Sequence, residues 1–304
     1  MATTKNRIKM STGRKIFIVC NGILMLLLCA VFLAPYLNVL AQALNDTDRV
    51  GVGIFPKNFT WASVSYMLKF DGIVNAFVIT LVRTLVGSVW GIIVQYAAAY
   101  ALTQRQLWGK KFILGLFILP MFISPGVVAN MVTYKMLGIV NTFWVMILPL
   151  AFFFYNMTVM RVYIQSISDS YKEAARLDGA SEMSIMFRIY MPLSIPIVAT
   201  VFLWTAVMYW NDWATNLYYA SSPKSEWLYT LQYIIQLMQK NENYMKGITE
   251  GANHLIGGTL EVPKVDSESL KAAGIIISSL PMLIAYPFLQ KFFAKGVSIG
   301  GVKE

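Results

Sequence analysis

Long apolar runs alternate along the chain with short charged segments. No Asp, Glu, Lys or Arg occurs in 16–45, 112–134, 136–160, 189–211 or 272–290, and in 72–104 the only charge is Arg83. A helix needs roughly 20 residues to cross the ~30 Å hydrocarbon layer of a bilayer. The runs therefore predict six spans, at about 16–40, 74–102, 112–134, 139–160, 190–211 and 272–290. Spanning helices satisfy their own backbone hydrogen bonds, so the predicted fold class is an all-α membrane protein, a six-span helical bundle. The first run is too long for a secretory leader and no small-residue cleavage site follows it, so it reads as a retained span.

Charge placement then sets the topology. Segment 1–15 carries Lys5, Arg7, Lys9, Arg14 and Lys15 with no acid. The loop after the second span carries Arg105, Lys110 and Lys111, and the tail Lys291, Lys295 and Lys303. Basic loops stay inside, so all three are expected on the cytoplasmic side, with both termini. The permease domain 16–304 then has a cytoplasmic loop at 166–189 and an external loop at 212–269, where acids outnumber bases. Only 13% of the 304 residues are charged, against ~25% in soluble domains, and the net charge of +10 is mostly a topology signal that calls for no nucleic-acid partner. Arg83 is expected near the outer boundary, snorkelling to headgroups or an external vestibule. Cys20 and Cys29 lie ~13 Å apart along one helix, beyond disulfide reach, and are expected to pack.

No enzyme site assembles from the sequence. The single histidine, His254, falls in the external loop, and no Cys/His/Asp cluster has metal spacing. Gly109-Lys110 comes nearest to a phosphate loop, but Gln104 and Lys111 stand where a first glycine and a Ser or Thr are needed. The spans lack the acid or histidine chain of a proton relay, and no internal repeat relates the two halves. The chain is expected to be no enzyme and to bind no cofactor or metal; any ATP used would be hydrolysed elsewhere.

One internal loop is unusually punctuated: "SYKEAARLDGASEMSIMFRIYMP", Ser170 to Pro192. Ser170 and Glu173 fit a capping box that opens a short helix ending at Leu177. Gly179 suits a left-handed stop, and Ser181 can cap a second helix. Met183, Met186, Phe187 and Tyr190 would form one apolar stripe on it, and Pro192 suits the start of the next span. Ala174 and Ala175 let another surface approach closely. The physics fits equally an interfacial helix–turn–helix without a partner and a docking surface.

The same loop resembles the EAA motif of binding-protein-dependent ABC importer permeases. Its Glu-Ala-Ala is Glu173, Ala174 and Ala175, its glycine is Gly179, and its Ile-x-Leu-Pro is Ile189-Tyr190-Met191-Pro192, with Met191 in place of leucine. The resemblance extends over nearly the whole chain, through "NDTDRVGVGIFPKNFTWASVSYML", "LGIVNTFWVMILPL", "YWNDW" and "YPFLQKFFAKGVSIGGVKE", and is poorest at 239–268. It points to carbohydrate-importer permeases of the MalG type, most like the LplC/YtcP group. That family implies the type I importer, MetI-like, fold and a coupling helix docked on an ATPase. It implies a heterodimer with a second permease, two ATPase subunits that bind ATP and Mg, and an external sugar-binding protein. The group is commonest in Gram-positive bacteria, where that protein is a lipoprotein. The alternatives are an ABC permease for a non-sugar solute and a membrane scaffold that uses the loop only for docking.

A sugar path needs flat apolar faces and convergent polar groups. The fifth run offers Trp204, Thr205, Tyr209, Trp210, Asn211 and Asp212; the fourth offers Tyr155 and Asn156, the third Asn130, and the second Trp90, Gln95 and Tyr96. The cluster 209–213 fits an outer aromatic belt and substrate contact equally, and the two are compatible. For the isolated residues, interhelical packing is the simpler role.

Overall fold

The computed structural model describes residues 11–45, 53–104, 106–123, 125–240 and 267–299, without the side chains of Asp71 and 288–299. Expectations placed on Lys5, Arg7, Lys9, Arg105, His254 and Lys303 lie outside the described residues. Two compact units form, one within Met1–Met67 and Lys246–Ile276, the other within Leu68–Met245 and Ile277–Glu304.

The smaller unit is built on α1, Thr12–Ala43, whose first turn is capped by the Ser11 hydroxyl accepting from the Arg14 N–H. Its apolar side chains from Ile16 to Leu33 are exposed within the chain, and so are the free thiols of Cys20 and Cys29, which pack against nothing here. The far end of α1 is clasped by hydrogen bonds. Asn38 Nδ2 donates to the Gly53 carbonyl (2.9 Å), and Asn45 Oδ1 accepts from the backbone N–H groups of Lys57 and Asn58. The helix α2, Ala62–Lys69, follows.

The larger unit is organised by α3, Asp71–Ala101. Two shorter helices follow, α4 (Lys110–Phe122) and α5 (Gly126–Met136). Two 3-10 turns, Phe143–Met146 and Leu148–Leu150, lead into α6, Phe154–Gln165. The punctuated loop forms α7 (Ser170–Leu177), α8 (Glu182–Ile185), a π-helical turn at Met186–Tyr190 and α9 (Met191–Leu193). It runs into α10, Ile195–Asn211. Then come α11 (Ala214–Tyr219), a 3-10 turn at Pro223–Leu228, α12 (Leu231–Lys240) and the long α13, Ser267–Ile299.

Among the described residues three helices are long and apolar enough to cross a membrane, within Thr12–Ala43, Gly72–Ala101 and Ser267–Pro287. Two bent pairs raise this to five if each is one span: Phe143–Leu150 with Phe154–Gln165 at 51°, and Glu182–Leu193 with Ile195–Asn211 at 84°. The expected third span is divided between α4 and α5, each too short to cross alone. Pro120 and Pro125 lie at the division, and each removes a helix N–H.

Packing in the larger unit centres on α3 against α10 and α6. Gly87 permits the closest approach: a Cβ there would stand 2.5 Å from the Tyr209 ring. Gly91, four residues on, would meet the Ala151 carbonyl at 3.2 Å. This small-xxx-small spacing gives α3 a flat strip that admits the Tyr209 ring and the Ala151 carbonyl. The Tyr209 ring cannot simply move aside, because its hydroxyl donates to the Ile147 carbonyl (2.7 Å). Gly87→Ala should therefore destabilise the protein by about 1–3 kcal/mol through overpacking. Thermal unfolding in detergent should show a lower midpoint than for Gly22→Ala, where a Cβ meets nothing within 4 Å.

Candidate functional site

Two regions carry the candidate residues. The first is the hairpin 166–193. Its opening differs from the expected capping box. Asp169 is already α-helical and its carbonyl accepts the Glu173 N–H (3.0 Å), so the helix begins one residue early. The Ser170 hydroxyl instead pairs with Ser168 Oγ at 2.8 Å, and Glu173 is exposed.

The turn is formed as the sequence implies. Gly179 has φ 75°, its N–H donates to the Arg176 carbonyl, and the Ala180 N–H donates to the Ala175 carbonyl. This pair of bonds is the Schellman stop, with Ala175 buried in the core cluster and Ala180 half-buried against it. Ser181 then caps α8, its hydroxyl accepting from the Ser184 N–H.

The second helix departs from the expected stripe. Met186 and Tyr190 are buried, but Met183 and Phe187 are exposed and Ile185 takes an inward position. The π-helical turn at Met186–Tyr190 adds residues to one turn and shifts the register, which an α-helical period cannot anticipate. Ile189 packs partly buried against the same core, and Pro192 lies exposed in the first turn of α9. The outward tip is apolar: Leu177 is 90% exposed, with Tyr171 and Met183 also open.

A polar tie fixes this hairpin to the end of α3. Glu182 accepts from Arg176 Nε (2.9 Å) and from the Tyr100 hydroxyl (2.9 Å), and Lys172 Nζ stands 3.8 Å away. Lys172 also bonds Gln104 Oε1 and lies over the Tyr100 ring. Desolvation pushes the Glu182 carboxyl up, but Arg176, Tyr100 and Lys172 together outweigh it and hold the group below its ordinary value. Desolvation lowers Lys172, partly offset by Glu182. Further along, the Tyr96 hydroxyl donates to Ser194 Oγ at the 84° elbow (3.1 Å). Glu182, Tyr100 and Lys172 were not among the residues singled out from the sequence. The motif's spacing marks the turn, not the groups that fasten it.

The second region is the C-terminal end of α10. Arg83 is fully enclosed, a correction to the expected snorkelling. It pairs with the Asp212 carboxylate, and its Nε and Nη1 donate to the Met146 (2.9 Å) and Asp212 (3.0 Å) carbonyls. A depth count along one helix could not foresee this, because the partner arrives from another. Asp212 Oδ1 also accepts the Thr215 N–H. Trp210 is buried, its indole donating to the Ser278 carbonyl (3.0 Å), and Tyr209 is buried beneath the Arg83 guanidinium. Trp210 is thus turned away from Asn211 and Asp212, which line one open pocket of about 460 Å³ with Trp204 and Trp213, the Asp212 carboxylate there being held by Arg83.

Other candidates divide the same way. Asn156 is buried against Thr205, and Gln95 and Tyr96 are buried on α3. Trp204, Tyr155, Trp90 and Asn211 are exposed, and Asn130 is half-buried. The Tyr155 and Trp204 rings lie 5.9 Å apart.

The chain is thus mostly helical, with apolar helices long enough to cross a membrane and a hairpin fastened to α3. The comparisons name the class: the chain belongs to the family of binding-protein-dependent transport system inner membrane components, matched over residues 87–299. It is similar to LplC of Bacillus subtilis (strain 168), 30% identical over 292 residues and 95% of each chain. It is also similar to YtcP of the same strain, a polygalacturonan/rhamnogalacturonan transport system permease, 28% identical over 92% of this chain and 95% of that one. Among solved structures it resembles a chain of a bacterial ABC transporter that imports the acidic polysaccharide alginate, with TM-score 0.79 and 25% identity over 94% of this chain and 100% of that one. As a member of this family the chain is a transport subunit that works with an ATPase and a substrate-binding protein.

Two predictions follow from the geometry. Asp212→Ala leaves an uncompensated buried charge and should cost about 3–5 kcal/mol, whereas the paired change Arg83→Met with Asp212→Leu should cost much less. Thermal stability of the purified variants checks both. The second prediction concerns Glu182. A depressed carboxyl contributes stability above its ordinary pKa and loses it as pH falls through the lowered value. Hydrogen exchange at 170–185, corrected for intrinsic rates, should therefore rise on acidification in the wild type. In Glu182→Gln it should be raised at neutral pH and change less.

Proposed function

We propose that the chain is one half of the membrane pathway of an ATP-driven importer for oligosaccharides. It pairs with a second, homologous permease, and two ATPase subunits bind ATP and Mg beneath them. An external sugar-binding lipoprotein of a Gram-positive cell delivers the substrate. The observation that carries this reading is the Schellman-stopped hairpin. A rigid turn with an exposed apolar tip at Leu177 and Met183, tied to α3 through Glu182, is built to receive a push and pass it on. The sugar-named relatives support the cargo. In this reading Ser170, Glu173, Ala174, Ala175, Leu177, Gly179, Ile189 and Pro192 belong to the coupling loop. Trp204, Tyr155, Asn211 and Asp212 face the pathway, while Tyr209, Trp210 and Asn156 shape it from behind; Asn130 stands at its margin. The chain crosses the bilayer six times, with the divided α4–α5 segment counted as one span, and both termini are cytoplasmic.

Coupling is tested at Gly179. Nothing lies within 4 Å of a Cβ there, so a substitution strains only the backbone. A β-branched residue is poorly tolerated at positive φ and should cost about 1–3 kcal/mol locally. Gly179→Val should reach the membrane in normal amounts yet lose most uptake while ATP hydrolysis persists or falls. Normal uptake at normal expression would count against the coupling role. The topology is tested by single-cysteine labelling in a background lacking Cys20 and Cys29: position 243 should react in intact cells, and 110 and 184 only after permeabilisation.

A further inference from the structure

Two cations meet where α4 packs on α6. On α4, Ile113, Leu114 and Phe117 pack against the core cluster that holds Met157, Met160 and Ile164 of α6. Lys110 lies on the same face of α4, one turn before Ile113 and Leu114. Arg161 lies on the packed face of α6, between Met157 and Ile164 and one turn from each. The two are close enough for Arg161 to act against the charge on Lys110.

Neither cation has a counter-ion. Arg161 Nε is enclosed without a hydrogen-bond partner, and so is the Thr158 hydroxyl one turn away on the same helix. Lys110 Nζ reaches a neutral acceptor, the Gln104 carbonyl, at 3.5 Å. No carboxylate pairs with Lys110 or Arg161 among the described residues. Like charges held together beside apolar helices repel, and each is partly stripped of water. An anion between them offsets both costs. The positive end of the α4 dipole, which carries no side-chain cap, adds to the same potential.

The surroundings say which anion. Trp108, two residues before Lys110, is 94% exposed, and Phe112 is also open. An exposed tryptophan beside lysines is characteristic of the headgroup level of a bilayer. Further along α4, Leu116 and Leu119 leave an open apolar strip. The fitting ligand thus joins an anionic head to hydrocarbon, and basic pockets between helices at this level suit anionic headgroups. A choline headgroup would bring a third cation to a site that already holds two. We propose that the seam between α4 and α6 binds an anionic phospholipid, its phosphodiester held between Lys110 and Arg161 and its acyl chains lying along Leu116 and Leu119.

The test uses the assembled importer, purified in neutral detergent and stripped of lipid, with three probes: phosphatidylglycerol, phosphatidylcholine and inorganic phosphate. Native mass spectrometry reads the bound lipid, and thermal unfolding reads stabilisation. The wild type should retain phosphatidylglycerol about tenfold better than phosphatidylcholine and be stabilised by it. Arg161→Gln and Lys110→Gln should each lower that retention about tenfold, with complex yield unchanged. Lys135→Gln makes the same charge change outside the seam and should retain the lipid like the wild type. Without lipid, Arg161→Gln should unfold no earlier than the wild type, because it removes a repulsion; with phosphatidylglycerol it should unfold earlier. Wild-type retention by both Arg161→Gln and Lys110→Gln overturns the proposal, as does equal retention of the two lipids by the wild type. Stabilisation by inorganic phosphate without phosphatidylglycerol retention makes the seam a free-anion site and overturns it. Retention only after the ATPase subunits are removed assigns the cations to an acidic group of that partner and overturns it too.

Discussion

A guanidinium buried at membrane depth keeps its charge and must find acceptors for its N–H groups. Arg83 finds them on two other segments. One is the carbonyl of Met146 in the 3-10 turns, and the others are the carboxylate and carbonyl of Asp212 where α10 ends. Arg83 is fully enclosed, so its charge is balanced by Asp212 and not by water. The pair's geometry also demands the neighbouring packing. The Tyr209 ring lies beneath the guanidinium and against Gly87, so the residue one turn beyond Arg83 has no room for a side chain. Charge pairing, ring stacking and backbone approach at this point are one arrangement, and it sets the distance between α3 and α10.

The same helix carries the attachments at its other end. Tyr96 bonds Ser194 at the elbow, and Tyr100 bonds Glu182 in the hairpin. Tyr96 and Tyr100 are four residues apart on one face of α3, and Gln104, just past its end, takes Lys172. The hairpin is thus fastened both to α10, through the elbow, and to α3, which is locked to α10 further along. A displacement of the hairpin cannot be absorbed at the elbow alone without breaking bonds to α3. On the proposed coupling, α3 and α10 respond as a pair, and the pocket at the end of α10 sits on the element they move.

Much of this was legible in the sequence. The charge-free runs located α1, α3, α10 and α13, and the Ser170–Pro192 spacing located the turn, the Gly179 stop and the Ser181 cap. What escaped was what depends on a second segment. Arg83 looked like an isolated charge because Asp212 is 129 residues away. Glu182 drew no notice because its partner Tyr100 lies outside the motif. The capping box failed because Asp169 turned helical first, and the apolar stripe failed because a π-helical turn changed the period. Two signals were available and unread. Gly87-x-x-x-Gly91 marks a close helix contact, and the lone cation of one run is complemented by an acid at the end of another.

The irregular stretch from the 3-10 turns to the start of α6 shows why these polar side chains belong in apolar runs. Backbone that leaves the helix at membrane depth exposes carbonyls that lipid cannot satisfy. Three of them lie here, and each accepts from a side chain of α3 or α10. Met146 takes Arg83, Ile147 takes Tyr209, and Ala151 takes Gln95 (3.2 Å). Replacing those donors by apolar residues of equal size would keep the packing and strand the carbonyls. The break therefore depends on these donors, and they in turn find acceptors in it, Arg83 being shared between the break and Asp212. That mutual dependence accounts for a bent fourth run in place of a straight span, and for the arginine that an apolar helix would otherwise have no physical reason to carry.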